Sequence, residues 1–112
     1  MDAITPGNAI VNLNADGEVG QIAVSWNASG YAASTTFEVS RALSDPNSGG
    51  TYAVIDSGIT STTVVETSVP AGQTRWYRVR ATDAGVVSDY YGPVYAAALA
   101  DYSEPTADPT RQ

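Results

Sequence analysis

The run Arg75-Trp76-Tyr77-Arg78-Val79-Arg80-Ala81-Thr82 decides the fold class of this chain. Tyr77, Val79 and Ala81 alternate with Trp76, Arg78 and Arg80. A period of two lets an extended strand bury one face and wet the other, whereas a helix would scatter the same residues around its circumference. Upstream, Pro70-Ala71-Gly72-Gln73 has the composition of a tight turn, and it joins this strand to an earlier apolar run at 62–66. The turn carries the chain from one strand into the next, and the rest of the chain repeats the pattern of short runs and turns.

Working outward, further short alternating runs lie at 9–13, 21–26, 36–41 and 52–55, and a last one at 94–97 follows Pro93. Turn chemistry separates them. Asp16-Gly17 is a hairpin signal, Asp45-Pro46-Asn47-Ser48-Gly49-Gly50 breaks the chain after the third run, and Asp83-Ala84-Gly85 follows the sixth. Seven such runs predict an all-β, seven-stranded antiparallel sandwich with almost no helix. Ile22, Val24, Trp26, Phe37, Val39, Tyr77 and Val79 fall on the inward positions and form the expected core. Truncating Trp26 to Ala would then cost about 3–5 kcal/mol.

The 112 residues suffice for one domain. Residues 9–98 are expected to form it, with 1–8 as an N-terminal extension and 99–112 as an extended C-terminal tail. Hydrophobic residues make up 43% of the chain and charged residues only 15%, a globular balance with a surface of Ser, Thr, Asn and Gly. Twelve acidic residues against five basic ones give a net charge of −7, which disfavours nucleic acid and anionic membrane as partners. No basic start and apolar run marks the beginning Met1-Asp2-Ala3-Ile4-Thr5-Pro6. The expectation is a protein used without the general secretory route, or one whose leader has been removed.

At this point the residues resemble a known family, the fibronectin type III domain in the form common in bacterial and phage proteins. The resemblance spans residues 9–97 and is strongest from Val64-Val65-Glu66-Thr67-Ser68-Val69-Pro70-Ala71-Gly72-Gln73-Thr74 into Arg75-Trp76-Tyr77-Arg78-Val79-Arg80-Ala81. Trp26 matches the family's second-strand tryptophan, and Phe37-Glu38-Val39-Ser40-Arg41 its third strand. One position departs from the pattern. The family's corner tyrosine, whose hydroxyl ties the sixth strand to the preceding loop, falls at Arg75. Either the Arg75 guanidinium makes the tie, or Trp76 or Tyr77 takes it over.

With no His and no Cys, the common catalytic triads, thiol nucleophiles and zinc sites cannot be assembled. The acids lie mostly in turns, strand ends and the tail, so a converging carboxylate pair is not expected either. Asn12-Leu13-Asn14-Ala15-Asp16-Gly17 opens like a calcium loop but has Ala23 where the bidentate Glu belongs, and it is read as a hairpin. No enzyme activity and no cofactor are expected.

Two groups stand out as contact residues. Trp76, Arg78 and Arg80 share the outer face of the sixth strand, a composition typical of interface hot spots and also able to stack on a sugar ring. A purely structural reading has Trp76 shielding the Arg stems and Glu38 pairing with Arg78 or Arg80. The second group is Tyr90, Tyr91 and Tyr95 around the last strand, with Tyr102 beyond it. The function expected from these features is non-catalytic contact. The leading setting is a phage virion, as a capsid decoration or tail-associated subunit meeting other virion or cell-surface proteins or further copies of itself. The alternative is an extracellular spacer or carbohydrate-binding module of a secreted bacterial polysaccharide-degrading enzyme, or an adhesin repeat.

Overall fold

β-branched and aromatic side chains at alternate positions pleat the chain into strands, because such residues pack well on a half-buried surface. The computed structural model of the protein describes residues 9–100. In chain order the strands are β1 (Ala9–Glu18), β2 (Gln21–Ser29), β3 (Thr36–Ala42), β4 (Tyr52–Ile59), β5 (Thr63–Thr67), β6 (Thr74–Asp83), β7 (Val86–Val87) and β8 (Tyr91–Ala97). The only helical element among the described residues is a single 3₁₀ turn, Pro46–Ser48, capped by the Asp45 carboxylate. β1, β2 and β5 form one sheet in that order. The other runs β4-β3-β6, with β7 and β8 both pairing along the far edge of β6.

Eight strands replace the seven expected. The extra one, Val86–Val87, pairs with Thr82 and Asp83 and is too short to show a periodicity. The first strand also runs well past residue 13. It crosses a bulge between Val11 and Asn14, with Asn12 at φ 56°, and ends at Glu18.

The Asp16-Gly17 hairpin is therefore corrected. Both residues lie inside β1, opposite Ala23 and Ile22, and the turn is Val19-Gly20, with Gly20 at φ 68°. Gly17 serves a different purpose. A Cβ built there would stand 1.9 Å from the backbone carbonyl oxygen of Ala97, so the glycine admits close approach of β8 to β1. The chain then crosses between the sheets. Leu99 donates its N–H to the Glu18 carbonyl at 2.9 Å and forms a parallel bridge with Val19.

The inner faces meet through Ile22, Val24 and Trp26 from β2, Phe37 and Val39 from β3, and Tyr77, Val79 and Ala81 from β6, all at most 4% exposed. Trp26 meets Phe37 edge-on at 5.5 Å. Ile10, Val69 and Ala98 complete the cluster.

A polar cluster lies between the sheets. Glu66 shares the inward face of β5 with Val64, and its carboxylate pairs with Arg41 of β3 and accepts a hydrogen bond from the Tyr77 hydroxyl at 2.5 Å. This Tyr77 bond runs to β5 in the facing sheet and not to the loop before β6, so it differs from the family's corner tie. Burial first, then the neighbouring Glu66, pushes the Tyr77 hydroxyl far above the ordinary tyrosine value of 10.0.

Candidate functional site

Register decides what the outer face of the larger sheet looks like. β3 and β6 pair Glu38 with Arg80, Ser40 with Arg78 and Ala42 with Trp76, while β8 places Tyr95 opposite Trp76 on the other side. One row of side chains therefore divides into two zones of different character.

The first zone is closed on itself by ring contacts and one ion pair. The Arg78 guanidinium is held between the rings of Tyr52 and Tyr90, 3.9 Å and 3.7 Å from their centroids, and Arg80 also lies over Tyr90 at 4.7 Å. Glu38 bridges to Arg80 through two contacts, at 3.0 Å to Nε and 3.1 Å to Nη2, and accepts the Tyr90 hydroxyl. Tyr90's hydrogen bond, reinforced by Arg80 and Arg78 against the opposing effect of burial, holds the Glu38 carboxyl below its ordinary 4.5. Burial raises the Tyr52 hydroxyl, with Arg78 working against it. Beneath this layer Ser40 is only 1% exposed. Glu38 thus pairs with Arg80, and the side chains covering Arg78 are two tyrosines rather than Trp76.

The second zone is open. Trp76 and Tyr95 lie side by side, ring centroids 6.4 Å apart and inclined by 34°. Tyr95 is 68% exposed, so its ring is surface and not cover. Together with Thr74, Pro93, Asp45 and Asn47 they line a groove of about 440 Å³. The Gly92-Pro93 bulge in β8 opposite Arg78 brings Pro93 to this wall. Asp45 and Asn47 arrive from the 3₁₀ turn, where Asp45 Oδ1 accepts the Asn47 backbone N–H at 2.9 Å.

The remaining sequence candidates separate. Tyr91 packs against the core, and Tyr102 lies outside the described residues. Asp45, Asn47, Thr74 and Pro93 had no signal of their own in the sequence beyond turn composition. Tyr52 and Glu66 could have been singled out, the one as an aromatic opening a strand, the other as a charge on an inward position. A second hollow of about 410 Å³ lies at the opposite loop end, lined by Tyr31, Asp83, Ala84, Val86 and Ser88. Among the described residues no group of three or more His, Cys, Asp or Glu is placed to hold a metal ion.

The strand order, with three strands facing a larger sheet that holds β3 and β6 at its centre, defines an immunoglobulin-like sandwich. Within that class the chain has the fold of a fibronectin type III domain. It is similar to a fibronectin type III-like protein from Clostridium thermocellum, at 27% identity and TM-score 0.62 over 90% of this chain and 97% of that one. A human fibronectin type III domain matches at 16% identity and TM-score 0.62, covering 96% of this chain and 93% of that one. A β-1,2-glucanase from Parabacteroides distasonis matches at 17% identity and TM-score 0.62, over 82% of this chain but only 14% of the enzyme. No protein-family model matches the sequence, and no curated protein matches it significantly.

Proposed function

We propose that the chain is a non-catalytic recognition module that meets its partner through the Trp76–Tyr95 zone of the larger sheet. The observation carrying this reading is the contrast between the two zones. Arg78, Arg80, Tyr52, Tyr90 and Glu38 pack on and bridge one another, while two adjacent aromatic rings border a groove that no other described residue fills. Tyr95 leaves a large surface in water beside the half-buried Trp76, and aromatic side chains placed in this way are the residues binding sites use as anchors.

The setting we favour is extracellular, as a module associated with a secreted bacterial carbohydrate-active protein. Likeness to a short stretch of the glucanase supports the carbohydrate part of this setting, and likeness to the Clostridium thermocellum protein its bacterial part. A virion surface subunit would use the same zone for protein contact, and the two settings differ in assembly state. The test is retention on the native assembly or matrix. Trp76→Ala and Tyr95→Ala should keep the thermal stability of the parent and lose retention. Variants that stay attached but melt earlier would overturn the reading, as would hydrolytic turnover by the purified domain.

A further inference from the structure

The groove has a chemistry that narrows its ligand. Its floor and rim offer two kinds of group side by side, aromatic faces from Trp76 and Tyr95 and uncommitted polar groups from Asp45, Asn47 and Thr74. Asp45 uses one carboxylate oxygen on the Asn47 backbone, and neither the Asn47 amide nor the Thr74 hydroxyl has a protein partner among the described residues. A carboxylate and a carboxamide are planar groups with paired acceptor or donor sites, suited to neighbouring hydroxyls on one ring. An aromatic face beside them suits the apolar C–H face of that ring.

Charge removes several alternatives. The groove holds one carboxylate and no cation, because the nearest guanidinium on the row, Arg78, is enclosed between Tyr52 and Tyr90. Phosphate, sulfated or uronic ligands would meet a negative group and no counter-charge. A wholly apolar ligand would leave the Asp45 carboxylate desolvated. The volume, about 440 Å³, falls in the range of small-molecule sites and exceeds what a single ion needs.

We infer that this groove is a binding site for a neutral oligosaccharide, with Trp76 and Tyr95 stacking on sugar rings and Asp45, Asn47 and Thr74 holding ring hydroxyls. The assignment rests on the recognition reading above and names the ligand class for the same zone.

The experiment is a titration of the isotope-labelled full chain with neutral β-gluco-, manno- and galacto-oligosaccharides, followed through the two indole N–H signals. Trp26 is buried in the core and serves as an internal reference for folding. Saturable movement of the Trp76 signal with a stationary Trp26 signal is expected. Tyr95→Ala should weaken that binding by about tenfold while the Trp26 signal stays in place. Asp45→Asn, which keeps a capping oxygen, should weaken it less than Asp45→Ala. No movement with any neutral sugar would overturn the assignment. Movement of Trp76 with protein concentration alone, or with a charged sugar in preference to a neutral one, would overturn it too. Self-association of that kind would leave the broader recognition reading standing.

Discussion

The Tyr77 hydroxyl donates to the Glu66 carboxylate at 2.5 Å, joining β6 of one sheet to β5 of the other. Arg41 neutralises the same carboxylate from β3, so the acceptor is charged and the bond is of the stronger kind. Tyr77→Phe keeps the ring and its packing and removes only the donor. It should lower unfolding stability by about 1.5–3 kcal/mol, the range for hydrogen bonds to charged groups, read from urea denaturation at neutral pH. A loss indistinguishable from zero would mean that water replaces the hydroxyl without penalty.

Gly17→Ala tests the close approach of β8 to β1. The added methyl would be placed 1.9 Å from a backbone oxygen, which cannot rotate away as a side chain could. The strands must separate locally, at a cost of about 1–3 kcal/mol. Hydrogen exchange should show weakened protection at the Leu99 amide, which bonds to Glu18 next to the substituted site. Protection unchanged at Leu99 would show that the seam does not depend on this glycine.

The two zones of the outer face should separate in mutagenesis. Arg78→Ala removes the cation held between Tyr52 and Tyr90 and should lower stability by about 1–2 kcal/mol while sparing contact at the groove. Trp76→Ala should do the reverse, with little change in melting and loss of binding. Calorimetry and a binding assay on the same two proteins decide the matter. Equal effects of both variants on both readouts would erase the distinction.

Acid and alkali should weaken the fold through different residues. The folded-state pKa of Glu38 is depressed, so its stabilising contribution is complete above the ordinary 4.5 and is lost as pH falls below that value toward the folded one. Glu38→Gln should flatten that part of the stability profile. Tyr77 is raised, so its contribution is complete below 10.0 and is lost as pH climbs beyond it. Phenolate absorbance should therefore show one tyrosine that ionises only together with unfolding, and its disappearance in Tyr77→Phe identifies it.

Much of this was legible in the chain itself, for a physical reason. The alternations Ile22-Val24-Trp26 and Tyr77-Val79-Ala81 record which face of a strand is dry, and that information is local. Gly17 was not legible in the same way. Asp-Gly is a strong turn signal, and what reassigns it is Ala97, distant in sequence and adjacent only after the sheets close. The groove has the same origin. Trp76 and Tyr95 each stood out, but in separate groups, and only the β6–β8 register makes them neighbours. Asp45 and Asn47 read as turn residues, which they are, and the fold gives them a second position beside the rings.

The seam at Leu99 has a mechanical consequence. The chain leaves β8 running parallel to the end of β1, clasped by the bonds from Leu99 to Glu18 and from Gly20 to Leu99. Tension applied through the chain before Ala9 and after Leu99 would slide these two segments past each other, loading the bonds together in shear instead of peeling them apart in turn. Under such tension the seam that Gly17 allows to close would carry load in shear from the first increment of stretch.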